Sequence, residues 1–177
     1  MMHSRIVKIM IRRRLVVLLV AAVAVSTATA LVGAALTPNS GVLVSSVVAR
    51  AGFADSTDLK FKIQGRGQEV IQVPNARDTV MQQVIIAPGG YTGWHTHPGP
   101  VLVLVKAGAL TLYSSEDPTC MGRTYTAGQA FIDRGQGHVH IGRNEGSENL
   151  EIWSAYFDVA PGQPFRIDAP NPGNCAF

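Results

Sequence analysis

From about residue 59 to the end of the chain, no stretch keeps a helical hydrophobic period for three turns. Short runs rich in β-branched and aromatic residues alternate instead with Gly, Pro, Asn and Asp, the pattern of a β-sandwich or barrel. The spacing predicts strands at Glu69–Val73, Val80–Ala87, Tyr91–His97, Pro100–Lys106, Ala109–Tyr113, Arg123–Thr126, Ala130–Ile132, His138–Gly142, Glu151–Asp158 and Phe165–Ile167. Turn chemistry separates them at Pro88-Gly89-Gly90, Pro98-Gly99-Pro100, Ala107-Gly108, Ala127-Gly128 and Asn144-Glu145-Gly146. Val101 to Val105 is apolar at every position, which reads as a strand covered on both faces. Its shortness and the preceding Pro100 argue against a helix. The expected fold class is all-β.

Four of the 5 histidines form two close pairs inside this β-rich region, His95/His97 and His138/His140. Residues i and i+2 of a strand share a face. Each pair can therefore aim two imidazoles into one interior, and neutral imidazole is the commonest protein metal ligand.

The formal net charge of +3 is a property of the N-terminus. Arg5, Lys8, Arg12, Arg13 and Arg14 precede any acid, and the remainder of the chain is mildly acidic. No basic stripe remains there for nucleic acid to use. A basic segment, an apolar run and small residues ending in Ala28-Thr29-Ala30 have the layout of a secretory signal peptide. Leu15 to Leu36 is also uncharged throughout and long enough to serve as an uncleaved transmembrane helix, with the basic flank in the cytoplasm. Arg12-Arg13 adds a weak twin-arginine signal. On either reading the remainder of the chain is exported, periplasmic or secreted, and meets a membrane only through this segment. After the turn residues Thr37 to Gly41, the run Val42–Ala49 reads equally as a strand or a spacer.

Cys120 and Cys175 both lie in the exported part. Two cysteines in an oxidising compartment are candidates for a disulfide, which here would tie the C-terminal tail to the loop after Tyr113.

Gly89, His95, His97 and Gly108 follow the first motif of the cupin family, G-x5-H-x-H-x3,4-E-x6-G, at every spacing. The residue type departs at one place: the glutamate position holds Val101, or Leu102 on the longer spacing. Gly137, His140 and Asn144 resemble the second motif, G-x5-P-x-G-x2-H-x3-N. There the proline position falls on Gly135, Gly128 is one residue too distant, and His138 is additional. Residues 89–144 carry the resemblance. It implies a double-stranded β-helix, or jelly-roll barrel, over residues 65–160. Residues 1–36 would be the signal or anchor, 37–64 a linker or N-terminal arm, and 161–177 a C-terminal tail packed on the barrel. The resemblance also implies a divalent transition metal held by His95, His97 and His140, with Fe2+, Zn2+, Mn2+, Ni2+ and Cu2+ all acceptable to imidazole. Three protein ligands leave open positions, as catalytic sites do. Without the glutamate, every ligand would be neutral and the cation would keep its full charge.

His138, Trp94 and Gln83 are candidates for pocket or ligand-supporting positions. For Trp94 a packed aromatic is the plainer reading. Of Gln82 and Gln83, alternation sends one inward. Asp133 and Arg134 read as a surface turn, and Asn144 as a residue that holds its own turn. No nucleophile elbow or paired carboxylate accompanies the histidines, so no catalytic residue is assigned. The readings are a metal-dependent enzyme acting on a small molecule, of the three-histidine dioxygenase kind, or a non-catalytic ligand-binding or structural module of the cell envelope. Resemblance to cupins further implies a homodimer.

Overall fold

A computed structural model describes residues 35–65 and 67–177. The signal-or-anchor reading falls almost wholly on residues 1–34, outside the described residues. Among the described residues there is no α-helix, and none long and apolar enough to cross a membrane.

Twelve strands follow one another: β1 (Ser40–Ala51), β2 (Leu59–Gly65), β3 (Gly67–Val73), β4 (Asp78–Tyr91), β5 (His95–Thr96), β6 (Val101–Ala107), β7 (Ala109–Ser114), β8 (Arg123–Thr126), β9 (Ala130–Asp133), β10 (His140–Arg143), β11 (Leu150–Val159) and β12 (Ile167–Asp168). Ten of them make one antiparallel network. It folds back on itself as two layers, β1-β4-β11-β6-β9 and β12-β5-β10-β7-β8, joined where Tyr91 at the end of β4 pairs with Arg143 of β10. This is the double-stranded β-helix expected for an all-β jelly roll. β2 and β3 form a separate hairpin, with Ile71 and Val73 buried and Phe61 against Phe157.

Alternation builds the interior. Along β4, Val80, Gln82, Val84 and Ile86 are buried while their neighbours are not. Val101, Val103 and Val105 of β6, Leu110 of β7, Tyr125 of β8, and Leu150, Ile152 and Tyr156 of β11 complete one core drawn from both layers. Each such aliphatic side chain contributes about 1.5–3 kcal/mol on burial. The opposite face of β6 is not covered as expected: Leu104 is 42% exposed and Leu102 only half-buried. The outer surface of this layer has no continuous partner among the described elements, so an all-apolar strand here is buried on one face.

The run from Val42 is a strand. β1 pairs with β4 through most of its length, with three register shifts. The strand expected over Tyr91–His97 is broken. β4 ends at Tyr91 and only His95 and Thr96 resume pairing, because Gly93 turns the chain with φ +74°. A side chain at Gly93 would also meet the Thr37 carbonyl oxygen at 2.2 Å. Only glycine fits both requirements.

A candidate metal centre

His95 lies on β5 directly across from His140 at the start of β10, while β12 pairs on the other side of His95 through Asp168. His97 follows two residues later. The three rings meet with centroids 4.5, 4.9 and 5.2 Å apart, and each residue is at most 6% exposed. One nitrogen from each lies within 4.8 Å of the others.

The surroundings fix which nitrogen that is. Nδ1 of His95 lies 2.8 Å from the Gly93 carbonyl oxygen, and Nδ1 of His97 lies 2.8 Å from that of Phe165. A carbonyl only accepts, so both Nδ1 atoms carry the proton and both Nε2 atoms keep a free lone pair. Nδ1 of His140 is buried without a hydrogen-bond partner, but the Asp133 carboxylate stands 3.5 Å from it. An imidazole braced by a carboxylate or carbonyl behind it is the usual arrangement of a metal-ligating histidine. The donor set therefore fits a divalent transition metal, with His95, His97 and His140 as the residues able to hold it.

Burial pushes the His95 imidazole well below its ordinary value, and the neighbouring His140 and His97 push it further. His97 falls to about 3, again through burial first and His140 second. His140 is lowered chiefly by burial, against the pull of Asp133. Neutral imidazoles at neutral pH are ready to donate lone pairs.

Asp133 was not foreseen at the site. Expected in a surface turn, it is 5% exposed and lines the same cavity as the histidines. It ends β9 as the cross-strand partner of Val101, the residue at the glutamate position of the first cupin motif. A carboxylate thus stands beside the place where one is missing. Oδ1 accepts from Nδ1 of His138 at 2.7 Å and Oδ2 from the Gly135 amide at 3.1 Å. Burial pushes this carboxyl up, but the charges of His140 and His138 and the bond from His138 outweigh it and hold it at about 2. An anion thus stands behind His140, outside the set of three imidazoles. Alternation of Phe131 and Asp133 toward the interior was the available signal, had the strand been extended one residue past Ile132.

His138 does not turn into the cavity. Its Nδ1 donates to Asp133, and its Nε2 lies 2.8 Å from Ser114 Oγ, so both nitrogens are engaged. It supports Asp133. Trp94 is fully buried, but against Ile141 and Cys175 in a second apolar cluster rather than on the cavity wall. The turn at Gly93 directs it there. Gln83 lies on the outer face, where it donates to Glu151. Alternation brings in Gln82 instead, which accepts from the Tyr156 hydroxyl at 2.6 Å and donates to Ser45 at 2.9 Å. Burial raises that Tyr156 hydroxyl to about 12. Asn144 is fully buried and donates to the Ile86 and Glu148 carbonyls, bracing its turn as expected.

The cavity beside the imidazoles measures about 100 Å³. Val42, Val84, Val103, Leu110, Phe131 and Ile152 make most of its apolar wall, and Val101 closes it near the histidines. Arg166, between β11 and β12, also lines it. Its charge reaches all three imidazoles and helps to lower them. The C-terminal segment that carries Phe165 and Arg166 is tied down further along by a disulfide between Cys120 and Cys175, whose Cα atoms are 5.3 Å apart.

A nearly closed β-shell with histidines converging inside it has the double-stranded β-helix architecture of the cupin class. The chain is similar to parts of several solved structures. A double-stranded β-helix protein from Klebsiella pneumoniae subsp. pneumoniae MGH 78578 is 24% identical over 52% of this chain and 76% of that one, with a TM-score of 0.43. An oxalate oxidase is 25% identical over 50% of this chain and 45% of that one, TM-score 0.41. A cupin domain of a transcriptional regulator from Enterobacter cloacae is 23% identical over 44% and 78% of the two chains, TM-score 0.36. No family model and no curated protein matches the sequence.

Proposed function

We propose that this chain is an exported protein that holds one divalent transition metal through Nε2 of His95, His97 and His140 and uses it on a small molecule bound in the adjoining cavity. The carrying observation is the convergence of three buried imidazoles whose Nδ1 atoms each face a carbonyl or carboxylate oxygen. The Cys120–Cys175 bridge supports an oxidising compartment.

Two of the groups that line the cavity are poor proton carriers. Asp133, at about 2, stays ionised, and Tyr156, at about 12, stays neutral. General acid–base work is most efficient when the pKa lies near the operating pH. Chemistry at this site would come from the metal, which supplies Lewis acidity or, for a redox-active ion, electron transfer to oxygen. Dioxygenase activity is the first reaction class to test. The same lack of a tuned acid or base supports a second reading, a site that binds its small molecule without transforming it.

Metal analysis of protein purified without a histidine tag tests the first part. About one equivalent of a transition metal is expected, lost in His95→Ala and in His140→Ala. A metal-free parent that takes up none on reconstitution overturns it. Oxygen uptake by the iron-loaded protein with a panel of small aromatic, diketone, thiol and carboxylate compounds separates enzyme from binder. A metal-loaded protein that consumes oxygen with none of them supports the second reading.

A further inference from the structure

Among the described residues that line the cavity, Arg166 alone brings a fixed positive charge, and its neighbours leave that charge available. Nε lies 2.9 Å and Nη2 2.8 Å from Asp168 Oδ1, and Nη2 donates to the Thr92 carbonyl at 2.7 Å. Asp168 is 53% exposed in its side chain, so this ion pair is open to water and weakly held. None of these bonds uses Nη1. The arginine itself is only 28% exposed, and it spans the step from solvent into the cavity.

Asp133, the one acid among the described residues that line the cavity, pairs with His138 and not with Arg166. Both oxygens of Asp133 are already occupied, by His138 and by the Gly135 amide. The remaining polar lining is neutral, and the remainder of the wall is aliphatic or aromatic. Arg166 is thus the cavity's own fixed positive charge, set in a lining that is mostly apolar. The size of the space limits the ligand too. An apolar cavity of about 150 Å³ takes a benzene molecule, so about 100 Å³ suits a compound of roughly the same few heavy atoms.

We infer that this cavity receives a short aliphatic carboxylate, whose anionic end is bound by Arg166 and whose chain lies on the Val84, Val103 and Ile152 wall. The inference rests on the reading of the cavity as the functional site and names its ligand class. Guanidinium and carboxylate match in geometry and charge, which a lysine at this position would reproduce only in charge. Neutral compounds of the same shape gain the wall but not the arginine.

Calorimetric titration of the zinc-loaded, tag-free protein with butyrate and with butyramide tests this. The two share size and shape, and zinc removes redox turnover from the measurement. Butyrate is expected to bind roughly 10- to 100-fold tighter than butyramide, the range for a hydrogen bond to a charged group. Arg166→Gln should reduce that preference about 10-fold or more, any remainder being the carboxylate's own affinity for zinc, while leaving the metal stoichiometry at its parental value. Arg166→Lys should keep part of it. Equal binding of the two compounds, no binding of butyrate at millimolar concentration, or a preference undiminished in Arg166→Gln overturns the inference. If the parent binds no zinc, the same titrations are run on the metal-free protein. An arginine-dependent preference there would sustain the carboxylate site while the metal centre itself fails.

Discussion

The two histidine pairs have the same spacing and opposite fates. His95 and His97 both turn inward, into the cluster. Of His138 and His140 only the second does, because His138 closes a turn, its amide donating to the Gly135 carbonyl, before β10 begins at His140. Spacing of two residues puts side chains on one face only while the backbone remains a strand. Neither pair lies wholly in a regular strand here. What places each ring is the partner of its Nδ1: Gly93 and Phe165 carbonyls for the first pair, Asp133 for the second.

That contrast can be broken most directly by removing one ring from the second pair at a time. His140→Ala should lose the metal altogether, whereas His138→Ala should keep one equivalent, measured by metal analysis after identical purification. Equal loss in both would mean that the two rings are not distinguished in the way the hydrogen bonds indicate.

Asp133→Asn comes next. It removes the charge behind His140 and weakens the bond that holds His138. Metal affinity should fall by about 10- to 100-fold, the usual cost of losing a carboxylate behind a ligating histidine. Competition with a chromophoric chelator measures it, and an unchanged affinity would reduce Asp133 to a purely structural residue.

Acid sharpens the comparison by weighing buried rings against ordinary ones. His97 sits at about 3 against an ordinary 6.5. Between these values the unfolded chain takes up a proton that the folded one refuses. Stability of the metal-free protein therefore falls as the pH drops through that window, by about 1.4 kcal/mol per pH unit for this group alone. His95 and His140, shifted in the same direction, steepen the fall. Urea midpoints measured across the window should show it, and a flat profile would mean that the rings are hydrated.

The smallest effect concerns the two adjacent glutamines. Gln82→Ala leaves the buried Tyr156 hydroxyl without its acceptor and should cost about 1–3 kcal/mol. Gln83→Ala, on the outer face, should cost less than about 1 kcal/mol. Chemical denaturation ranks them, and a reversed order would place the wrong face of β4 inside.

Much of this fold is legible in the residues themselves. Arg123–Thr126 coincides with β8 because turn residues bound it on both sides, and the β6 and β7 segments stand within a residue or two of their predicted ends. The pairing of distant segments is harder to read. Residues 42–49 carry two serines in an apolar run and look ambiguous alone; what makes them a strand is β4, some forty residues later. Leu59–Gly65 was not anticipated as a strand, although Leu59, Phe61 and Ile63 alternate with Lys60, Lys62 and Gln64, the period-two pattern of a half-buried strand, and its partner lies in the same hairpin. Asp133 is the clearest case at the site. In isolation an Asp-Arg-Gly sequence belongs in a turn, and only the register that sets it opposite Val101 takes it inside. Gln82 and Gln83 differ by one step of alternation, which the sequence poses as a choice without an answer. The convergence of His95, His97 and His140 is the reverse case, because two glycine-flanked motifs in a β-rich chain leave few other ways to close the shell.

The crosslink at Cys120–Cys175 closes a loop spanning 55 positions, which in the chain-entropy picture disfavours the unfolded ensemble by about 4 kcal/mol. It also anchors the stretch that supplies the Phe165 oxygen to His97 and the guanidinium to the cavity. A preparation made in a host that keeps thiols reduced would hold those two contributions through the β12–β5 pairing without the crosslink. Choice of expression host thus becomes a variable in any assay, and an inactive batch from a reducing cytosol would report on its tether before it reported on its chemistry.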